Sequence, residues 1–139
     1  MSMFGMLDTA ASGMRTHRVW LNAVSDNIAN ISTYRPMDEA AYQPRYVDAQ
    51  SLPGANGQYN GANGGVGVRQ ILFGDPEGRV IYSPDHPLAD ENGLVRAPDT
   101  DLGEQMTQLM MAQRSYQSNS TVILRAKDMY QQAMQIGRG

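Results

Sequence analysis

The sequence predicts an α+β protein that is mainly helical, with long N- and C-terminal helices pairing as an antiparallel coiled coil and a small β-rich domain inserted between them. All seven prolines and nine of the fourteen glycines of this 139-residue chain lie between Pro36 and Pro98, and proline costs about 3 kcal/mol inside a helix. Outside that window, apolar residues recur with helical spacing. The expected domains are therefore an N-terminal helix over 1–33, a β-rich insertion over 34–98 and a C-terminal helix over 99–139.

Apolar residues in the N-terminal segment alternate in steps of three and four, which is the pattern of a heptad seam. Such a narrow stripe is typical of a helix that packs against one partner helix. His17 interrupts the seam, and we expect it to be a tolerated polar residue at a helix contact rather than a ligand or a base. The predicted N-terminal assembly seam comprises Met3, Leu7, Ala10, Met14, Leu21, Val24, Ile28 and Ile31.

The middle of the chain has short β-rich runs separated by turns. A proline-containing edge strand is expected at 42–47, followed by a Gly-rich loop at 51–67 that has little to bury. Residues 66–73 and 79–82 predict a β-hairpin, because a proline-glycine turn separates them. A last short strand is expected at 94–96.

The C-terminal helix is expected to begin after Asp101, because Glu104 follows it by three residues as in a capping box. Its seam is spaced by sevens, but Met110, Leu124 and Met129 fall on flanking faces. A helix with apolar side chains on several faces indicates more than one neighbour, which in so short a chain means other subunits. The predicted C-terminal assembly seam comprises Leu102, Met106, Leu109, Tyr116, Ile123, Tyr130 and Met134.

The composition excludes several classes of protein. With 11 Lys and Arg against 14 Asp and Glu, the chain has no basic stripe for nucleic acid. No apolar run approaches the roughly 20 residues of a membrane span. The first residues have no basic segment and meet Asp8 early, so we expect no cleaved signal peptide. The absence of cysteine excludes disulfides and thiolate chemistry.

Candidate chemical sites are few. A calcium loop aligned on Asp90, Asn92 and Gly93 fails, because Leu88 would occupy its first ligand position and Asp99 would replace its final Glu. His86 alone is too few ligands for a zinc site. The glycines of 61–67 lack the Lys and Ser/Thr that follow in a phosphate-binding loop. With His17 and His86 in separate modules, no Ser-His-Asp triad is expected. The sequence thus predicts no catalytic residue, metal, cofactor or small-molecule substrate.

Several segments resemble bacterial flagellar rod and hook proteins. Residues 25–33, Ser-Asp-Asn-Ile-Ala-Asn-Ile-Ser-Thr, are similar to their N-terminal signature S-x-N-[LI]-A-N followed by Thr. Residues 82–95 resemble the segment Y-x-P-x-H-P-x-A-x-x-x-G-x-V of the proximal rod family FlgC, and 104–106 and 114–119 are similar to its E-M and S-R-[SA]-Y-x-A-N elements. The matching positions are Ser25, Asn27, Ile28, Ala29, Asn30, Thr33, Pro84, His86, Pro87, Ala89, Gly93, Val95, Glu104, Arg114, Tyr116 and Asn119.

The chain departs from that family pattern at a few positions. Residues 98–101 replace the usual Pro-Asn-Val-Asp/Asn, Gln105 separates the E-M pair, and Ser118 replaces a common alanine. The Gly-rich segment 53–67 is longer than the family pattern. These departures put the cap of the last helix in question and leave the resemblance intact.

The resemblance implies a structural subunit of the flagellar basal-body rod, which assembles helically into a torque-transmitting drive shaft around the export channel and serves motility. Its implied partners are copies of itself, other flagellar rod subunits and the flagellar type III export apparatus, which passes such subunits across the inner membrane without a cleaved signal peptide. The alternatives are another axial subunit of the rod and hook family, or a cytoplasmic coiled-coil adaptor or export chaperone. A glycan-cleaving enzyme is disfavoured, because no pair of positioned carboxylates is evident.

Overall fold

A computed structural model describes residues 3–54 and 64–137, with the side chains of the first helix described from Gly5 onward. Two long helices flank four short strands, which confirms the mainly helical α+β class with β structure between the helices. In chain order the elements are α1 (Met3–Ala29), β1 (Arg45–Leu52), β2 (Gly65–Phe73), β3 (Arg79–Tyr82), β4 (Leu94–Ala97) and α2 (Leu102–Ile136).

The strands form two two-stranded sheets, β1 with β2 and β3 with β4. The hairpin expected between 66–73 and 79–82 is therefore wrong. The turn between these runs is present, with the Gly78 amide donating to the Asp75 carbonyl at 3.2 Å. However, β3 pairs with β4 and not with β2. This antiparallel pairing runs from Arg79 opposite Ala97 to Tyr82 opposite Leu94.

The first strand begins later than the sequence indicates. The edge strand was expected at 42–47, whereas β1 begins at Arg45, because Pro44 has no amide hydrogen to contribute to a ladder. The Gly-rich loop expected at 51–67 is also shorter at both ends, since Leu52 still belongs to β1 and Gly65 already belongs to β2. Residues 55–63 of that loop lie outside the described residues.

The chain has two compact units, and both helices contribute residues to each. The first unit comprises residues 1–19, 49–69 and 111–139, and the second comprises residues 20–48 and 70–110.

In the first unit, three hydroxyl side chains on one face of α1 hold the start of β2. The Ser12 hydroxyl accepts from the Val66 amide at 3.1 Å, and the Thr16 hydroxyl donates to the Val66 carbonyl at 3.2 Å. One turn earlier, the Thr9 hydroxyl donates to the Gly64 carbonyl. A Cβ at Gly65 would stand 2.3 Å from the Ser12 oxygen, so only glycine allows this close approach.

In the second unit, β4 contributes to the core. Val95 and Ala97 are buried there, and the backbone of Arg96 pairs with that of Arg35 in a β-bridge with both N···O distances at 2.9 Å. The Arg96 guanidinium donates to the carbonyls of Met37 and Glu77 at 3.1 and 2.9 Å. One arginine thus ties the segment after α1 and the turn before β3 to the same strand.

We expect Gly78→Ala to destabilise the chain by about 3 kcal/mol. Gly78 has φ of 60°, and an added Cβ would lie 2.2 Å from the Ala97 carbonyl oxygen and 2.6 Å from the Ala41 Cβ. Urea unfolding measures the change, with Gly74→Ala as the comparison: an added Cβ there would meet the Pro44 side chain at 2.8 Å without a positive φ. Equal losses for both substitutions would show that the backbone conformation of Gly78 carries no extra cost.

The second helix has the N-cap that the sequence predicts. The Asp101 carboxylate accepts from the Glu104 amide at 2.9 Å, while the Glu104 side chain accepts from Gln108 at 3.1 Å rather than reaching back to close a capping box. We expect Asp101→Ala to cost about 1 kcal/mol in urea unfolding. Asp101→Asn keeps the accepting oxygen and should lose only a fraction of that, and an equal loss in both variants would contradict the cap.

Candidate assembly surface

The second helix exposes large apolar side chains along a line of its first-unit portion. Met111, Val122, Met129 and Ile136 fall within a narrow sector of the helix at about 100° per residue, and Met129 and Ile136 are 52% and 82% exposed. Large apolar side chains exposed along one side of a helix are typical of a helix that contacts another molecule. We refer to these four residues as the outer stripe.

A second group of exposed apolar side chains lies in the second-unit portion of the same helix. Leu102, Met106 and Met110 follow one another at four-residue intervals, so they stack on one face, and all three are about half exposed. The Asp101 cap fixes the point at which this row begins. Leu124, in the first unit, is 59% exposed and lies in the same helical sector.

A polar face separates these two apolar sectors on the first-unit part of α2. Thr121, Arg125 and Gln132 are exposed and lie close together on the helical wheel. A helix that only covered its own chain's core would have one apolar face and one broad polar face. Two exposed apolar sectors flanking a polar one are typical of a helix with several neighbours.

The side chains that α2 buries within the chain are small or polar. Gln105 in the second unit is buried, and so are Ala112 and Ala126 in the first. In the first unit, α1 approaches α2 at Gly13, where an added Cβ would lie 2.8 Å from the Asn119 side-chain nitrogen. Small and polar residues therefore occupy the fully buried positions of this contact, while no large apolar side chain of α2 is fully buried.

The residues of the two predicted assembly seams differ in how far they are exposed to solvent. In α1 and the turn after it, Ala10 and Val24 are buried, while Leu7, Met14, Leu21, Ile28 and Ile31 are half-buried; the side chain of Met3 lies outside the described residues. In α2, Leu109, Tyr116 and Ile123 are half-buried, while Leu102, Met106, Tyr130 and Met134 are exposed.

The buried centre of the second unit is Asn27, a residue of the signature Ser-Asp-Asn-Ile-Ala-Asn. It is 1% exposed. Its amide nitrogen donates to the Arg45 carbonyl at 2.9 Å and to the Gln105 side-chain oxygen at 3.0 Å. Its oxygen accepts from the Arg45 amide at 2.8 Å and from the Tyr42 hydroxyl at 3.3 Å. One side chain therefore joins α1, the start of β1 and α2.

The same signature ends the first helix. Asn30 donates from its side chain to the Asp26 carbonyl at 2.8 Å, and its side-chain oxygen accepts from the Thr33 hydroxyl at 3.2 Å. The Thr33 amide also donates to the Asn30 carbonyl at 3.0 Å. These bonds satisfy backbone groups that a helix end leaves unpaired, so Asn30 and Thr33 define the turn after α1.

The middle signature builds a compact turn before β4. The His86 ring meets the Tyr34 ring edge-on at 5.1 Å between centroids, and its Nδ1 accepts from the Leu88 amide at 3.1 Å. Gly93 has φ of 75°, the left-handed region that favours glycine. Val95, two residues on, is fully buried. His86 is thus a turn residue, as its proline flanks predict.

The other signature residues have simpler environments. Ser25, Ala29, Pro84, Pro87, Glu104 and Arg114 are exposed, Ile28, Ala89, Tyr116 and Asn119 are half-buried, and the Asn119 side chain donates to the Ser115 carbonyl at 3.0 Å. The hydroxyl residues that hold β2, among them Ser12 and Thr16, were missed by sequence reasoning. Their signal was present as small hydroxyl residues three and four apart beside the seam.

Burial shifts the pKa of three ionisable side chains in the direction that favours the neutral form. Burial raises the pKa of Tyr42, with Asp26 adding to the rise and Arg45 opposing it. Burial also raises the pKa of Tyr46, with Glu104 and Asp99 contributing. Burial lowers the pKa of His17. The Tyr42 hydroxyl donates to the Asn27 side-chain oxygen, as its protonated form requires.

Within residues 3–54 and 64–137, no group of three or more His, Cys, Asp and Glu residues is placed to hold a metal ion. Over the same described residues, neither helix is both long and apolar enough to cross a bilayer.

Two family models match the chain at its ends. Residues 7–36 match the model described as flagella basal body rod protein, and residues 91–136 match the model described as flagellar basal body rod FlgEFG protein C-terminal. The first match contains Asn27, Asn30 and Thr33, and the second contains the whole of α2.

Relatives of similar length match nearly the whole chain. The flagellar basal-body rod protein FlgC of Salmonella typhimurium is 32% identical over 138 residues, covering 99% of this chain and 100% of the relative. FlgC of Borreliella burgdorferi is 31% identical over 154 aligned residues with 100% of both chains covered. FlgC of Bacillus subtilis is 31% identical over 150 residues, covering 99% and 100%.

Proposed function

The chain belongs to the FlgC family of flagellar basal-body rod proteins, and from that premise we propose that it is a structural subunit of the proximal rod. In this role it assembles helically with copies of itself and with other rod subunits into the shaft that transmits torque around the export channel. The proposal explains why α2 exposes large apolar side chains, which other rod subunits would cover.

The observation that carries the proposal is the apolar exposure of α2. In the outer stripe and in the row Leu102, Met106 and Met110, each residue is between 45% and 82% exposed to water. Covering the rest of one such side chain contributes about 1 kcal/mol, and a rod subunit has neighbours that can do so. Summed over many copies, this holds a shaft together without covalent links.

We propose that the two terminal helices pair as an antiparallel coiled coil through the predicted seams that begin at Met3 and Leu102. Within the second unit, Trp20 donates to Gln108 at 3.4 Å and Asn27 donates to Gln105 at 3.0 Å. The later residue of α1 therefore contacts the earlier residue of α2, which supports an antiparallel pair. In this organisation residues 1–33 and 99–139 assemble and residues 34–98 form the insertion.

The proposal includes no catalytic step. The buried polar groups described above are engaged in packing, as the full set of bonds at Asn27 illustrates. Delivery is proposed to use the flagellar type III export apparatus as a partner, across the inner membrane and without removal of an N-terminal segment. The resulting location is the basal-body rod.

A deletion strain tests the function. Expression of this chain in cells lacking their own copy is expected to restore swimming, and purified basal bodies should contain the chain at its full-length mass. A shortened mass would contradict export without cleavage. Failure to restore the rod, or recovery of the chain only from the cytoplasm, would favour an adaptor or export chaperone instead.

A further inference from the structure

A shallow groove in the first unit combines an apolar floor with a doubly basic rim. It has a volume of about 250 Å³ and lies between α1 and α2, and its lining comprises Ala11, Met14, Arg15, Arg18, Tyr116 and Ile123. The α1 residues share one helix face, because they are separated by three, four and seven positions. The floor consists largely of residues of the two predicted seams.

The two arginines of the rim are available for an ionic partner. Both are exposed, and neither makes an ion pair with any carboxylate in the described part of the chain. They stand one turn apart on α1, so their guanidinium groups can converge on a single carboxylate. Such charge-assisted pairs are stronger than neutral hydrogen bonds and set orientation.

The chain itself has a surface of complementary charge and shape. Leu124 is 59% exposed, and the exposed Asp128 lies one turn after it on the same face of α2. Asp128 makes no ion pair within the described residues. An apolar side chain followed by a carboxylate is what a groove with an apolar floor and a basic rim accepts.

We infer that this groove receives the Leu124–Asp128 segment of a second copy of the chain, with Leu124 on the apolar floor and the Asp128 carboxylate between Arg15 and Arg18. The inference rests on the proposed function and names a contact that the rod would use between identical subunits. Ile123 and Leu124 are about 100° apart around α2, so groove and ligand segment lie on different faces of one subunit. Such a heterologous contact propagates from copy to copy and builds a helical array.

Charge exchange tests the contact on the full chain. Arg18→Glu is expected to weaken self-association about tenfold in sedimentation at low salt. Adding Asp128→Arg to it should restore part of that loss, because one charge pair is re-formed with opposite polarity while Arg15 then faces a like charge. The matched control adds Glu91→Arg instead, an exposed carboxylate in the second unit, which gives the same net charge as Asp128→Arg.

The outcomes separate this contact from the rod assignment. Undiminished self-association of Arg18→Glu would overturn the contact. A loss that Glu91→Arg reverses as fully as Asp128→Arg would also overturn it, and so would a loss that neither substitution reverses. The same deletion strain is complemented either by the unaltered chain or by the Arg18→Glu variant. If both restore normal swimming, the proposed contact is overturned and the rod function is still supported. Failure of the unaltered chain itself would remove the rod function.

Discussion

Replacing Val122 and Met129 with aspartate is expected to abolish incorporation into the rod while leaving the isolated chain folded. Both side chains are about half exposed, so substitution there should change the free energy of unfolding by no more than about 0.5 kcal/mol per site. In the rod, a carboxylate buried against an apolar neighbour without a partner costs several kcal/mol. Urea unfolding of purified protein and analysis of isolated basal bodies measure the two effects.

The matched control places the same two charges on the polar face of α2. Thr121→Asp with Gln132→Asp changes the net charge equally at exposed positions next to the outer stripe. This control is expected to assemble and support swimming. If both double variants assemble, the outer stripe is ordinary surface. If both fail, added negative charge rather than apolar burial is responsible.

Sequence reasoning located the helices because their signals are local. Asp101 and Glu104 marked the start of α2, and the Asp101 cap is where the spacing places it. Met110, Leu124 and Met129 were predicted to lie outside a single seam, and all three are exposed. Helix ends and helix faces depend on neighbours within two turns, which a sequence displays directly.

Strand pairing was predicted less well because it depends on distant parts of the chain. The start of β2 is held at Val66 by Ser12 and Thr16, more than fifty residues earlier, and β1 starts where Asn27 binds both backbone groups of Arg45. No local pattern around the Asp75–Gly78 turn reveals either contact. A hairpin between neighbouring runs was therefore the simplest expectation, and long-range contacts override it.

The contact between the two helices in the first unit was not found by sequence reasoning. A search for apolar periodicity finds large side chains, whereas the chain's own helix contact at Gly13 and Asn119 uses small and polar ones. Gln105, which interrupts the family's E-M pair, is fully buried and accepts a bond from Asn27. A departure from the family pattern thus lies at the centre of the second unit.

Asn27→Leu is expected to destabilise the chain by about 3 kcal/mol or more. Leucine fills a similar volume but leaves the Arg45 amide, the Arg45 carbonyl and the Gln105 oxygen without their partner. Each buried polar group left unpaired costs about 1–3 kcal/mol. Urea unfolding followed by circular dichroism measures the loss, and Asn22→Leu, an exposed asparagine on the same helix, should change stability by less than about 0.5 kcal/mol.

A second substitution distinguishes hydrogen bonding from shape at this position. Combining Asn27→Leu with Gln105→Leu removes the orphaned oxygen of α2, so the double variant should lose less than the sum of the two single variants. The unpaired backbone of Arg45 remains, and part of the loss must therefore persist. Additive losses would show that Asn27 and Gln105 do not interact. If the Asn27→Leu variant is as stable as the Asn22→Leu variant, the signature asparagine does not hold α1, β1 and α2 together.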